Sequence, residues 1–224
     1  MEKIIYHGSE KIINKPEYGA GNIANDYGRG FYCTENILLA KEWACKNNNN
    51  GFANKYKIDM SGLKICDLNS DTYNILNWLA VLTKNRSYWQ NGSIASEAKE
   101  YLQKNYYVDT TVYDVVIGYR ADDSYFSFAK DFVMGTISLQ KLSEAMRLGK
   151  LGEQVMIQSR AAFDRLEYDG YEVANCNEFF LRKTNRDIEA RSKYREYKKD
   201  ASLIDDIYII DIMRGRVADD ELFL

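Results

Sequence analysis

The chain has a single histidine, His7, whose neighbours are residue types that could take part in chemistry. The apolar residues 4–6 precede it, and Gly8 and Ser9 follow it. A strand that ends here would place an imidazole, an open glycine backbone and a hydroxyl together. Imidazole exchanges protons near neutral pH and can also hold a ligand by a hydrogen bond. Considered without its neighbours, a lone histidine is more often a surface or structural residue.

A second group of such residues lies at positions 26–34, where the sequence reads Asp-Tyr-Gly-Arg-Gly-Phe-Tyr-Cys-Thr. Its two glycines would allow the backbone to approach a bound ligand closely. The segment has neither the glycine and lysine spacing of a P-loop nor the full glycine pattern of a Rossmann site. Together, the His7 segment and residues 26–34 predict a site that handles a nucleotide.

The composition is that of one substantial globular domain. The chain has 224 residues, of which 46% are hydrophobic and 28% are charged, as in ordinary soluble proteins. The net charge of −3 provides no overall basic field for nucleic acid. A basic run at 182–198 could form either a solvated helix face or a surface that binds phosphate or an acceptor.

The cysteines and the N-terminus predict a reduced, cytoplasmic protein. The four cysteines are scattered and form no C-x-x-C pair, so we expect neither disulfides nor a metal site. No apolar run approaches the roughly 18 residues that a membrane span needs. The first residues lead directly into an apolar strand without the pattern of a signal peptide. We therefore expect no membrane partner.

Hydrophobic spacing predicts an alternation of strands and helices that would position these residues. The predicted strands are 3–6, 30–34, 52–60, 63–68, 113–118, 153–159 and 168–175. The predicted helices are 35–46 with Thr34 as its N-cap, 71–83, 93–103, 125–134, 138–148 and 161–166. Residues 179–199 have helix-compatible charge spacing, and 202–213 is either a strand or a helix. We expect one α+β domain over residues 1–224, with a helical insertion at about 69–112.

The order of these motifs resembles the ADP-ribosyltransferase superfamily. Residues 6–9 and 26–34 are followed by a helix that contains Ala-Lys-Glu-Trp-Ala at 40–44, then by 114–118 with 121–123, and by 152–157. The likeness is to the His-Tyr-Glu branch, which includes poly(ADP-ribose) polymerases and diphtheria-type toxins, and within it to a bacterial family of unknown function. It extends to about residue 175 and rests on the combination of motifs.

The resemblance implies a split β-sheet with flanking helices, and NAD as the substrate held between its halves. His7 would bind a ribose hydroxyl of the adenosine, and Gly8 would bind the nicotinamide carboxamide through its backbone, with Ser9 beside it. Tyr32 would stack on the nicotinamide ring. The cofactor-binding set that the resemblance implies is His7, Gly8, Ser9, Asp26, Gly30, Phe31 and Tyr32, with Arg29 also at the border of the cleft.

The third position of the branch, a glutamate, is ambiguous in this sequence. In our preferred alignment Gln154 takes its place, because Gln154, Met156 and Gln158 would then share one strand face. A shift of one residue would put the carboxylate of Glu153 there instead. A glutamine can hydrogen-bond a ribose, but it cannot act as a base. The resemblance therefore implies mono-ADP-ribosyl transfer, with chain elongation not expected.

Two classes of function follow from the sequence. The first is an NAD-dependent mono-ADP-ribosyltransferase that modifies a macromolecule, with protein favoured over nucleic acid. It would be a toxin or a conflict-system effector with a cognate inhibitor or immunity protein, and transfer to water would make it an NAD glycohydrolase. The second is a catalytically silent module that binds NAD or ADP-ribose.

Two further motifs have competing interpretations. Cys33 beside Tyr32 could be a nucleophile with His7 as its base, although a buried structural thiol is the simpler interpretation. Asp122 and Asp123 could cap the helix that follows them or line the cleft. Asp26 could equally be a turn-forming residue.

Overall fold

The structure is a computed structural model that describes residues 1–46, 49–86, 92–121, 123–148, 152–200 and 205–223. Asp122 and the side chain of Asp123 lie outside this part. The described strands are β1 (Glu2–Ser9), β2 (Phe31–Cys33), β3 (Gly51–Asp59), β4 (Ile65–Asp67), β5 (Val115–Tyr119), β6 (Glu153–Ile157) and β7 (Leu166–Ala174). The described helices are α1 (Ile37–Ala44), α2 (Ile75–Asn85), α3 (Ser93–Asn105), α4 (Asp123–Val133), α5 (Leu139–Arg147), α6 (Arg160–Phe163), α7 (Cys176–Lys199) and α8 (Ile209–Met213).

The strands form two sheets, and the expected α+β class is confirmed. One sheet has the order β1-β3-β7 and is antiparallel throughout. The other has the order β2-β6-β5-β4, in which only the β4–β5 pair is parallel. The chain between β4 and β5 forms α2, α3 and a short 3-10 helix at Thr110–Val112. Within the described part of the chain, no helix is both long and apolar enough to cross a membrane.

The two sheets meet at one isolated bridge and separate from there. Tyr6 and Thr34 exchange both backbone hydrogen bonds, with N–O distances of 2.8 and 2.9 Å. Beyond this pair, His7 and Gly8 pair with β3 alone, while Tyr32 pairs with Met156 of β6. A cleft therefore opens where His7 and Tyr32 leave the bridge.

Two of the three hydrophobic clusters in the described part of the chain hold the sheets in this arrangement. The smaller core lies between the sheets and contains Ile5 from β1, Tyr56 and Ile58 from β3, and Val155 and Ile157 from β6. The larger core packs the opposite face of the four-stranded sheet against the helices, with Trp78, Phe128 and Phe132 fully buried. Apolar side chains alternate along β5 and β6 toward both cores, because a strand directs successive residues to opposite faces.

The long connection between β1 and β2 is fixed to the first sheet by buried polar side chains. Asn54 of β3 is fully buried. Its Oδ1 accepts from the backbone N of Ile13 at 2.8 Å, and its Nδ2 donates to the carbonyl oxygen of Lys11 at 3.1 Å. The Tyr56 hydroxyl donates to the Ile13 carbonyl. These bonds pair backbone groups of a loop that does not belong to either sheet. They also hold the loop over the cleft.

The start of α1 differs from the sequence prediction. Thr34 was predicted as the N-cap, but Asn36 is the N-cap, since its Oδ1 accepts from the backbone N of Leu38 at 2.9 Å. The Thr34 backbone is committed to the bridge with Tyr6. The prediction was wrong because the long-range pairing of Thr34 cannot be read from local sequence. The described part of 202–213 contains the helix α8.

We predict that Gly8→Ala destabilises the protein because β1 lies directly against α1. A Cβ at position 8 would be 2.0 Å from the carbonyl oxygen of Ala40 and 2.8 Å from the Cβ of Trp43. The two elements would have to separate, which costs about 1–3 kcal/mol in a packed interior. Urea denaturation measures the change in the free energy of unfolding.

The control for this variant is Gly92→Ala, where an added Cβ has open space. Gly92 is the N-cap of α3, so its replacement by alanine should cost less than about 1 kcal/mol. A loss at position 8 no larger than that at position 92 would contradict the packing argument.

Candidate active site

A cavity of about 990 Å³ occupies the cleft between the diverging sheets. This volume is at the upper end of the range for small-molecule sites. The cavity brings together most of the residues singled out from the sequence. Those that line it are His7, Gly8, Asp26, Gly30, Phe31, Tyr32 and Gln154.

His7 presents an acceptor nitrogen beside the cavity. Its Nδ1 lies 2.7 Å from the carbonyl oxygen of Tyr32. A carbonyl can only accept, so Nδ1 carries the proton and Nε2 has the free lone pair. The ring stacks on Phe31 with centroids 4.3 Å apart. Burial lowers the pKa of His7 below 6.5, and the positive charge of Lys46 lowers it further. His7 is therefore neutral at pH 7.

Tyr32 contributes the face of its ring rather than its hydroxyl. The hydroxyl donates to the carbonyl oxygen of Gly28 at 2.7 Å and accepts from the backbone N of Tyr27 at 3.0 Å. Burial raises the pKa of this hydroxyl far above its ordinary value. The hydroxyl therefore fixes the turn before β2 and cannot serve as an acid or base near neutral pH. A flat aromatic surface remains available to a ligand.

Gln154 presents a carbonyl oxygen to the cavity. Its Nε2 donates to Oδ2 of Asp26 at 2.9 Å and to the carbonyl oxygen of Tyr119 at 3.2 Å. Both partners are acceptors, so only the amide NH₂ can face them, and the orientation of the amide follows. Both N–H hydrogens are then used. The group that Gln154 can offer a ligand is an acceptor, as a carboxylate would be.

Asp26 is the buried centre of this arrangement, with only 4% of its surface exposed. Its Oδ1 accepts from Nε and Nη2 of Arg86 at 2.8 and 2.5 Å. Its Oδ2 accepts from the backbone N of Ala121 at 2.9 Å as well as from Gln154. A buried charge needs such partners to offset its desolvation. Of its two interpretations, the turn-forming one does not describe this side chain.

Three predicted positions, Glu153, Ser9 and Arg29, lie outside the cavity. Glu153 is exposed, and its Oε1 accepts from Nδ2 of Asn69 at 2.9 Å. It lines a separate cavity of about 230 Å³ together with Tyr125 and Met146. Ser9 is paired with Phe52 of β3, and its hydroxyl accepts from the backbone N of Lys11 at 3.1 Å. The structure thus brings Gln154 to His7 and Tyr32, and it directs Glu153 away from them. Arg29 is exposed and does not line the cavity either.

Cys33 is fully buried in the smaller core. Burial raises the pKa of its thiol well above 9.0. A protonated thiol with no access to solvent is not a nucleophile. The structural interpretation of Cys33 is confirmed.

Gly30 has a packing role in addition to its place in the cavity wall. A Cβ at this position would be 2.4 Å from Cγ of Met156 and 2.9 Å from the carbonyl oxygen of Ile157. Its absence allows the backbone before β2 to lie against β6. The glycine therefore sets the distance between Tyr32 and the strand that holds Gln154.

Arg86 and Arg120 are among the cavity residues that sequence reasoning missed. Arg86 follows α2 and reaches Asp26. Arg120 follows β5, and its guanidinium lies over the ring of Trp43, 4.4 Å from the centroid. Trp43, from the Ala-Lys-Glu-Trp-Ala segment, lines the cavity as well. No motif marks Arg86 or Arg120, because each reaches the cavity from a different element.

The basic run 182–198 divides between the two interpretations given to it. Arg191 and Lys193 form exposed (i, i+4) ion pairs with Asp187 and Glu189, as on a solvated helix face. Arg186 instead forms an ion pair with buried Glu42 of α1. Lys183 lines the cavity. One side of α7 is thus part of the site.

Residues 3–168 match the family described as Protein of unknown function (DUF3990). The chain belongs to this family. The DUF3990 region contains His7, Asp26, Tyr32, Arg86 and Gln154, whereas α7 lies beyond it. No curated protein and no solved structure matches the chain.

We predict that His7 titrates below pH 6.5 in the folded protein, because partial burial of its ring favours the neutral form. The chain has one histidine, so its imidazole Cε1–H resonance in an NMR pH titration is unambiguous. The unfolded state then takes up the proton first, and stability is lost as pH falls below about 6.5. A folded-state pKa at or above 6.5 would contradict the prediction.

The control is His7→Gln, studied by chemical denaturation at pH 7.5 and 5.5. The variant lacks the titrating group, so its free energy of unfolding should fall less between these pH values than that of the wild type. Each pKa unit below 6.5 corresponds to about 1.4 kcal/mol.

We predict that Gln154→Glu destabilises the protein by about 2–4 kcal/mol at pH 7.5, because a second carboxylate would face Asp26. The amide that it replaces lies 2.9 Å from Oδ2 of Asp26. Repulsion raises the pKa of the new carboxyl, so the loss grows as pH rises above about 4.3 and is smaller at pH 5. Urea denaturation at both pH values measures it.

The matched control is Glu153→Gln, one residue away and exposed. We expect a change within about 0.5 kcal/mol there. Equal stability of Gln154→Glu and wild type at pH 7.5 would contradict the contact with Asp26.

Proposed function

We propose that the protein is an NAD-dependent mono-ADP-ribosyltransferase of the His-Tyr-Glu branch, with an ADP-ribosyltransferase-like split sheet. The observation that carries the proposal is the meeting of His7, Tyr32 and Gln154 in one cavity between two diverging sheets. These residues come from β1, β2 and β6. Their types are those that the resemblance implies, apart from the amide in the third position.

Each of the three side chains offers what NAD would require. The Nε2 lone pair of neutral His7 can accept from a ribose hydroxyl. The ring of Tyr32 can stack on the cationic nicotinamide, a contact worth about 0.5–2 kcal/mol. The carbonyl oxygen of Gln154 can accept from a hydroxyl of the nicotinamide ribose. All three are held by hydrogen bonds to neighbouring groups, so binding requires little reorganisation.

The proposed reaction breaks the bond between the ribose C1′ and the nicotinamide nitrogen. The bonding electron pair leaves with nicotinamide, which becomes neutral, and the ribose becomes oxocarbenium-like, as in glycoside hydrolysis. A nucleophilic atom of the acceptor then forms a bond to C1′ and loses its proton. Gln154 orients the ribose in this scheme. The negative charge of Asp26 acts on the ribose indirectly, through the hydrogen bond between Asp26 and the Gln154 amide.

The acceptor that we propose is a protein, and one ADP-ribose is transferred to it. The net charge of −3 disfavours nucleic acid as a partner. Chain elongation would call for a base at the third position, whereas Gln154 is an amide that cannot remove a proton.

A second candidate is a catalytically silent module that binds NAD or ADP-ribose. The observation that favours it is the same amide, since Gln154 neither carries charge in the cavity nor accepts a proton. Both candidates use the cavity to bind NAD or ADP-ribose. They differ in whether bound NAD is cleaved.

The experiment is nicotinamide release from NAD by the purified protein, with and without cell lysate. We predict that His7→Ala, Tyr32→Ala and Gln154→Ala each reduce release by about 100-fold or more, while circular dichroism shows a folded chain. Tyr32→Phe keeps the ring and should retain release within about 10-fold. Glu153→Ala is the matched control, since Glu153 lies outside the cavity.

The outcomes separate the candidates. Release that needs lysate indicates a transferase with a macromolecular acceptor, and release without it indicates glycohydrolase activity or self-modification. Saturable NAD binding without release would support the silent module. Loss of release in Glu153→Ala but not in Gln154→Ala would overturn the assignment of the third residue.

A further inference from the structure

Positive charge predominates among the described residues that line the cavity, although the net charge of the chain is −3. Of these described residues, five are cationic and two, Glu17 and Asp26, are carboxylates. The cationic residues are Lys15, Lys46, Arg86, Arg120 and Lys183. Asp26 is already matched by Arg86. A concave site with an excess of one charge concentrates ligands of the opposite charge.

The excess is concentrated on the wall between α1 and α7. Lys46 follows α1, and Lys183 lies on α7. Within the described part of the chain, neither lysine forms an ion pair with a carboxylate. Arg120 completes this wall by stacking on Trp43. The carboxylate embedded here, Glu42, is paired with Arg186 and also experiences the charges of Arg182, Arg120 and Lys183.

The same wall contains buried hydrogen-bond donors that lack an acceptor among the described protein atoms. The indole Nε1 of Trp43 is buried and has no acceptor among the described protein atoms, and the same holds for Nη1 of Arg186. A buried donor without an acceptor costs free energy. Trp43 itself lines the cavity. Excess positive charge and donors that lack an acceptor on one wall are complementary to a ligand part that is anionic and has only acceptors.

We infer that the α1–α7 wall, formed by Lys46, Lys183, Arg120 and Trp43, is a diphosphate subsite. The inference rests on the proposed function, because that function makes NAD the ligand that carries the diphosphate. It adds which part of the cavity selects ligands that contain phosphate. Diphosphate has the matching chemistry, since it is anionic and presents only acceptor oxygens at neutral pH. Because α7 lies beyond the matched residues 3–168, the site needs a helix outside the family region.

The test is isothermal titration calorimetry with ADP-ribose, inorganic pyrophosphate and the phosphate-free nicotinamide riboside. We predict that Lys46→Ala and Lys183→Ala each weaken ADP-ribose binding by about 5- to 20-fold. Binding of nicotinamide riboside should change less than about 2-fold. The dependence of ADP-ribose affinity on salt should also become shallower in the double variant, because fewer charges meet the ligand. Lys183→Arg keeps the charge and should bind nearly as wild type.

The matched control is Lys193→Ala on the same helix, whose lysine pairs with Glu189 away from the cavity. Wild-type affinity for ADP-ribose in Lys46→Ala and Lys183→Ala would overturn the subsite, as would an equal loss for nicotinamide riboside. Failure of the proposed function is distinguishable. If the protein binds pyrophosphate but releases no nicotinamide, the proposed function fails. The subsite is still supported in that case, provided that Lys183→Ala abolishes pyrophosphate binding.

Discussion

The site depends on the charge of one buried carboxylate, Asp26. Its two oxygens receive hydrogen bonds from Arg86, from the backbone of Ala121 and from Gln154. Arg86 follows α2, Ala121 follows β5 and Gln154 lies in β6. One side chain therefore connects three parts of the fold that are far apart in the sequence. Removing any partner would leave a buried charge less well solvated, and this coupling makes the arrangement cooperative.

The same carboxylate explains why the side chain at position 154 is an amide. Asp26 and the Tyr119 carbonyl both accept hydrogen bonds at the place where the side chain of Gln154 ends. A carboxylate there would have two acceptors as neighbours, whereas an amide supplies two donors and keeps an acceptor for the cavity. The environment therefore selects glutamine on physical grounds. The negative charge behind Gln154 belongs to Asp26, which lies one hydrogen bond farther from the cavity.

Two chemically different groups of side chains line the cavity. His7, Tyr32 and Gln154 have their polar groups committed to neighbours, so each offers a single defined surface or lone pair. The α1–α7 wall, whose Lys46 also acts on His7 through its charge, offers lysine ammonium groups and the indole N–H of Trp43. The ion pair between Glu42 and Arg186 attaches α7 to α1 and thereby keeps Lys183 at the cavity.

The sequence alone indicated the α+β class, most of the strands and helices, and the two segments around His7 and Tyr32. These features are local, since hydrophobic periodicity and glycine-rich turns are legible within a few residues. Sequence reasoning placed the N-cap of α1 at Thr34 rather than Asn36, because it could not see the pairing of Thr34 with Tyr6. It left open whether Glu153 or Gln154 faces the cleft.

Only the tertiary structure decided that question. A shift of one residue inverts which side chains of a strand face a given side, and the register of β6 is set by its pairing with β2 and β5. The contact of Asp26 with Arg86 joins residues 60 positions apart, and Lys183 reaches the cavity from a helix near the end of the chain. Local sequence patterns carry no information about such distances, because packing of the two cores determines them.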